Sequence, residues 1–448
     1  MNTSAVTPPS RKPSGTYELV RLGYVARLQN GLTVDAKRDV TGDVVTSPYL
    51  RVANVQAGSL NLESVTEITV PRSVAQRSTL RPGDVLMTEG GDLDKLGRGT
   101  VWRGELDQCL HQNHIFAVRP DPQRLSGRFL AYVTQSLYGR HYFESTGTRT
   151  TNLASTNSSK IQSFPLPLPP LDEQRRIADF LDAETARIDR LCELRKHQLE
   201  LLNEASFRRI YDAVRGAHVE GNRKDSGLKW LGTIPSDWRI GSVSHYFEVE
   251  LGKMLNQERA HGQHMRPYLR VANVQWDRID VSDLAMMDFP PEEQARYRLK
   301  PGDLLVNEGG SWPGRAAIWD GEVPEIYYQK ALHRIRARGA ELPRWLYYCL
   351  VVAERLKVFQ VQGNTSTMTH LTREGLRPQK FPFPEPDVQG DLVAQLDRAA
   401  SRDFEFRRLL DSQVALLTER RQALITAAVT GQFDVSTASG RGIQNCSA

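Results

Sequence analysis

The sequence predicts two mixed α/β (α+β) domains in tandem, separated by two long α-helices that pair with each other, with a pseudo-two-fold internal repeat. Three observations predict it. The nine residues PYLRVANVQ at 48–56 return unchanged at 267–275. PGDVLMTEGG (82–91) returns as PGDLLVNEGG (301–310), with seven of ten positions identical. Each half then closes on a helix-forming stretch that ends at glycine, Gly216 and Gly431. A nine-residue identity at such a distance is duplication, and a repeat decides the fold before any local pattern does. Further pairs keep the order: VWRGE (101–105) with IWDGE (318–322), FPLP (164–167) with FPFP (381–384), and AVRG (213–216) with AVTG (428–431). The spacing shrinks slightly along the chain, so the second half carries a few net deletions.

The elements follow in order. Residues 1–15 read as a disordered leader without the apolar stretch of a secretory signal. Residues 16–166 form the first domain, with short β-type runs such as YLRVANVQ and DVLMT between Gly and Pro. PGD before a strand is a turn: Pro presets φ and Gly takes positive φ. A helix-like stretch follows at 128–143 and again at 344–359. Residues 167–220 carry the first long helix, opened by a proline stop and Asp172 in PLPPLDEQ. Leu199, Leu202, Ile210 and Ala213 make its apolar stripe. The junction GNRKDSG (221–227) leads into the second domain, 221–385. The second long helix lies in 386–432, where Leu410, Val414, Leu417, Leu424 and Ala428 recur at helical spacing, interrupted by Arg421. At 1.5 Å per residue, each helix is a rod of about 65–70 Å. One small domain cannot cover such a stripe, so the other copy is its expected partner. Residues 433–448 read as a disordered tail.

Composition bounds the function. The 448 residues are 40% hydrophobic and 25% charged, which excludes a wholly disordered chain. Lys and Arg number 58 against 53 Asp and Glu, a net charge of +5. Contact with nucleic acid must then come from local basic patches. Cys109, Cys192, Cys349 and Cys446 lie far apart, which excludes a disulfide framework and fits a cytoplasmic protein. No apolar run is long enough to cross a membrane.

PLPPLDEQRRIADFLDAETARID (167–189) and the junction KDSGLKWLGTIPSDW (224–238), set in tandem domains each followed by a long helix, closely resemble the specificity subunit of a type I restriction–modification system. The resemblance spans about residues 16–432. In the second copy, PEPDVQGDLVAQLDRAAS (384–401) lacks the EQ-R-R-I core. The resemblance implies that each domain is a target recognition domain reading one half of a split, asymmetric site on double-stranded DNA. It implies that the long helices pack antiparallel as a coiled-coil ruler. It also implies two methyltransferase subunits, and restriction–translocase subunits, as partners.

The repeat separates scaffold from readout, because two halves reading different sequences should differ where they meet bases. Arg51, Asn54 and Gln56, repeated as Arg270, Asn273 and Gln275, are of types that suit DNA, but their identity favours fold or phosphate contact. The polar segments 147–160 and 363–375 differ between copies. Thr148, Arg149 and Thr150 in the first, and Asn364 and Ser366 in the second, are candidate DNA contacts. Lys37, Arg38, Lys95, Arg98, Lys253 and Arg315 are basic candidates, with Arg103 beside them. Arg175, Arg176, Arg187 and Arg190 read as solvated helix surface, with partner contact as the competing use. Trp102 and Trp319, and Phe129 and Trp345, align across the copies and read as core. Cys109, His111 and His114 have the look of a zinc cluster, but IYYQKALH in the second copy does not reproduce it.

No enzymatic signature is found. The phosphate loop G-x-x-x-x-G-K-[ST] is absent. Asp288-Phe289-Pro290-Pro291 only scrambles the [DN]-P-P-[FYW] motif of an adenine methyltransferase, and Asp35-x-Lys37 is a fragment of a nuclease centre. The expectation is a non-catalytic DNA-binding subunit with no metal and no cofactor. A stand-alone site-specific nuclease and a duplicated protein-interaction scaffold stay open as alternatives.

Overall fold

The protein was analysed as a computed structural model that describes residues 17–33, 42–91, 96–149, 154–254, 261–309, 313–359 and 370–435. It divides into two units: residues 1–196 with 411–448, and residues 197–410. Four helices carry the argument: α1 (Gly127–Gln135), α2 (Leu171–Val214), α3 (Pro343–Arg355) and α4 (Pro386–Val429).

In the first unit, strand Val85–Thr88 is buried along its whole length because it is central. It lies between Ile115–Pro120 and Gly99–Val101, and Ala26–Asn30 completes an antiparallel four-stranded sheet. A second sheet pairs Val44–Leu50 antiparallel with Thr66–Pro71 and parallel with Leu110–His111. Helix α1 packs Phe129, Leu130 and Val133 into the core, and Ile177, Leu181, Ile425 and Val429 of the long helices join the same core. Phe433 lies beyond α4 and packs on Phe180, with ring centroids 5.6 Å apart.

The second unit repeats the plan. Leu304–Asn307 is the buried central strand between Leu332–Ala337 and Ala316–Ile318, with Phe247–Leu251 at the edge. Met265–Leu269 pairs antiparallel with Ala285–Asp288 and parallel with Tyr327–Tyr328. The registers match: Val85 faces Val118 in one sheet, and Leu304 faces Ile335 in the other. Both PGD turns form as expected, with Gly83 at φ +96 and Gly302 at φ +91. Each turn hands its aspartate to a strand. Arg119 forks onto buried Asp84 at 2.7 Å through both nitrogens, and Arg336 forks onto buried Asp303 at 2.6 Å. Trp102, Trp319, Phe129 and Trp345 are all buried, as their alignment predicts.

Each long helix spans 44 residues. Asp172 and Glu173 open α2, where carboxylates favour the positive end of the helix dipole. Both helices end as the glycines foretell. Gly216 and Gly431 take positive φ, and the next amides, of Ala217 and Gln432, bond back to Asp212 and Ala427. This closure satisfies the last carbonyls. The helices pair antiparallel inside each unit. In the first, Phe180 and Asp189 of α2 meet Phe433 and Arg421. In the second, Asn203 meets Arg407, while Ser206 and Arg209 both meet Asp403. No helix among the described residues is long and apolar enough to cross a membrane.

Candidate nucleic-acid interface

The VANVQ turn is built around one asparagine. Asn54 accepts the Arg51 amide at 2.8 Å and donates to the Asn61 and Ser64 carbonyls at 2.8 and 3.0 Å. Asn273 repeats this with Arg270, Asp280 and Asp283. Both asparagines are 4% exposed and both amide hydrogens are used. This corrects the expectation that they touch DNA: their identity across the copies reflects the turn they hold. What the turn presents outward is Arg51 and Gln56, both exposed, and their counterparts Arg270 and Gln275, which are partly exposed. Arg270 is engaged with Asp283 at 2.7 Å. Gln56 and Gln275 each donate to the carbonyl three residues back at 2.9 Å.

Lys253 requires a second correction. It is 2% exposed, donates to the Asp288 carbonyl at 2.6 Å and pairs with Glu293 at 2.5 Å. An isolated ammonium at such a depth is costly, and these partners offset it. Its counterpart across the repeat is Leu32, which makes the same kind of parallel bridge. Lys253 is therefore a core position filled by a cation.

Arg315 hydrogen-bonds Gln275, which joins the VANVQ turn to the sheet edge. Position 98 holds the corresponding arginine, half-buried just before Gly99–Val101. The described parts of the first domain's polar segment pair with the strand that follows Val85–Thr88. Thr148–Arg149 pairs with Ala154–Ser155, which pairs with Gly90–Gly91, and the Thr156 amide donates to the Glu89 carbonyl at 2.7 Å. Thr148 is exposed and accepts from Lys160 at 2.8 Å. In the second domain the Leu371 amide donates to the Glu308 carbonyl at 2.7 Å. Thr156 and Leu371 therefore bond equivalent glutamates. Lys37, Arg38, Lys95, Thr150, Asn364 and Ser366 lie outside the described residues, as does the side chain of Arg149.

Sequence reading missed the side chains that face each glutamate. Glu89 meets His114 at 2.6 Å. Burial raises the Glu308 carboxyl pKa, opposed by Lys330 and His370. The zinc reading fails on geometry. His111 is buried and spends Nδ1 on the Ile115 carbonyl, while His114 is turned to Glu89. Burial, aided by Glu105, pushes the Cys109 thiol up to about 12. No cluster of metal-ligating side chains occurs among the described residues.

Comparison with known proteins agrees with this geometry. Residues 15–202 match the family described as type I restriction modification DNA specificity domain. The chain is 24% identical over 402 residues to the type I restriction enzyme StySPI specificity subunit of Salmonella potsdam, covering 86% of this chain and 82% of that one. It is 22% identical over 399 residues to the EcoKI specificity subunit of Escherichia coli, with the same 86% and 82% coverage. A chain from a solved structure on complex assembly and conformational transition of the type I R-M system superposes with a TM-score of 0.73. It is 19% identical and covers 95% of this chain and all of that one.

Proposed function

We propose that the chain is a specificity subunit of a type I restriction–modification system, a non-catalytic DNA-recognition component, and that it reads a bipartite, asymmetric DNA site. Residues 16–166 and 221–385 are the two recognition domains, one for each half-site. Residues 167–220 and 386–432 are the spacer helices, and with the domains they dock two methyltransferase subunits and the restriction subunits. The complex acts in the cytoplasm.

The observation that carries this reading is the repeat. Two copies of one scaffold keep their turns, strand registers and ion pairs while their outward polar segments differ. A duplicated reader of two unlike half-sites needs that division, since phosphate contacts position a protein and base contacts specify. Arg51, Gln56, Arg98 and Thr148 in the first domain, and Arg270, Gln275 and Arg315 in the second, form the described part of the proposed interface. Lys37, Arg38, Lys95, Arg149, Thr150, Asn364 and Ser366 extend it.

The test is methylation by the chain assembled with its methyltransferase, read by sequencing the modified DNA. One motif with two defined ends and an unread middle is expected. Exchange of residues 16–165 for those of a relative should change one end only. No bipartite motif, with both subunits intact, overturns the reading.

A further inference from the structure

We propose that an Arg–Tyr–Asp set, present in both units, positions each recognition domain at one angle on its long helix and so fixes where its reading loops land. This rests on the reading above. In the first unit, Arg128 of α1 bonds Asp182 of α2 at 2.7 Å and Asp179 at 2.6 Å, and Tyr132 donates to Asp182 at 2.6 Å. In the second, Arg344 of α3 bonds Asp397 of α4 at 2.8 Å, and Tyr348 donates to the same carboxylate. The three residues survive in the copy that lost the EQ-R-R-I core around them.

The chemistry separates adhesion from alignment. Ile177 and Leu181 share a core with Phe129, Leu130 and Val133, while Leu392 and Leu396 share one with Trp345 and Cys349. Apolar contact of this kind is strong but has no direction. A guanidinium shared between carboxylates, with a phenol on one of them, is directional. The aspartates are 38% to 65% exposed, so their ion pairs add little stability. Their retention is therefore better explained by geometry than by strength.

The two sets differ in one respect. Arg128 takes its second carboxylate, Asp179, from the helix itself. Arg344 takes Asp277, two residues beyond Gln275 in the proposed interface. The second domain thus ties a DNA-facing turn directly to α4. A domain that rocks by about 10° at a radius of roughly 20 Å shifts its tip by about one base-pair rise. Loosening the set should therefore relax the accepted gap between half-sites without changing the bases read.

The experiment uses the full chain with its methyltransferase, on DNA carrying the native gap or a gap one base pair longer or shorter. Asp182→Asn, Asp397→Asn, Tyr348→Phe and Arg344→Gln are compared. Discrimination against the altered gaps should fall by about tenfold, while the bases read at both half-sites stay the same. Tyr348→Phe should relax the gap less than Asp397→Asn, because the arginine contact survives. Arg344→Lys, which keeps charge but not the fork, should fall between wild type and Arg344→Gln. Gap discrimination unchanged in variants that melt like wild type overturns the proposal, as does a changed base preference. If Arg344→Gln fails to fold, Asp397→Asn and Tyr348→Phe decide it. Failure of the wild type to methylate any bipartite site would instead overturn the reading beneath it.

Discussion

Replacing Gln174 by methionine should destabilise the first unit more than the matching change at Gln389 destabilises the second. Both glutamines are fully buried. Gln174 accepts the Ser126 amide at 2.8 Å and donates to the Arg124 and Pro169 carbonyls at 2.9 and 2.8 Å. Gln389 accepts the Leu342 amide and donates to the Pro384 carbonyl, both at 2.9 Å. Methionine fills nearly the same volume, so a cavity contributes little and the cost is the orphaned backbone groups. At about 1 kcal/mol for each group left unsatisfied, Gln174→Met costs about 3 kcal/mol and Gln389→Met about 2. The local assay is amide hydrogen exchange, because the Ser126 and Leu342 amides lose their acceptors. Each should exchange at least fivefold faster, the factor that about 1 kcal/mol supplies. Denaturant unfolding followed by exchange in each unit gives the two totals. Equal costs, or unchanged exchange at Ser126, would refute the reasoning, since water would then be replacing the side chain.

Three further outcomes follow from the same geometry. Arg336→Ala leaves Asp303 buried without its guanidinium and should cost about 3 kcal/mol in urea unfolding; a loss under about 1 kcal/mol would mean that the carboxyl is protonated or hydrated there. Burial lowers the pKa of both His111 and His333. The stability gained by keeping them neutral is complete above the unfolded value of about 6.5 and is lost as pH falls below it. The melting temperature should therefore drop from pH 7 to pH 5, and His111→Asn with His333→Asn should flatten that drop; an equally steep curve would exclude these imidazoles as its source. Arg51→Ala should weaken DNA binding across all sequences alike and reduce the salt slope by about 0.9, as one lost phosphate contact requires. A selective loss on one half-site sequence would instead make Arg51 a base reader.

Much of the fold was legible because the repeat acts as an internal comparison. PYLRVANVQ located the turn, PGD located the buried strand, and Gly216 and Gly431 marked where the long helices stop. The site was less legible. Asn54 and Gln56 look alike as DNA-reading types, yet one is folded inward and the other outward, and only the three-residue turn decides that. Lys253 reads as a surface cation because its neighbours in sequence are ordinary, while Asp288 and Glu293, which hold it, come from a distant strand and helix. Gln174 and Asp182 were hidden inside a motif noticed for its charged residues. Their partners at Ser126, Arg128 and Tyr132 are about fifty positions earlier, beyond any periodicity.

Comparing the copies residue by residue sorts constraint from freedom. Fixed positions are those with two obligations at once. Asp84 and Asp303 each close a turn through the backbone and hold an arginine from a neighbouring strand. Gln174 and Gln389 each satisfy a helix-start amide and a chain carbonyl. A substitution at such a place leaves at least two polar groups unpaired, and no neighbour can compensate for both. Positions that vary share with their counterpart only a backbone obligation. Leu32 and Lys253 share only a parallel backbone bridge, and their side chains fill that place with unlike chemistry, Lys253 with a carbonyl and a carboxylate of its own. Ser155 and His370, unlike in chemistry, each precede the amide that bonds the equivalent glutamate carbonyl. Duplication therefore leaves the scaffold fixed and the outward segments free to diverge. This is the condition under which two halves of one chain can come to read different DNA without being refolded.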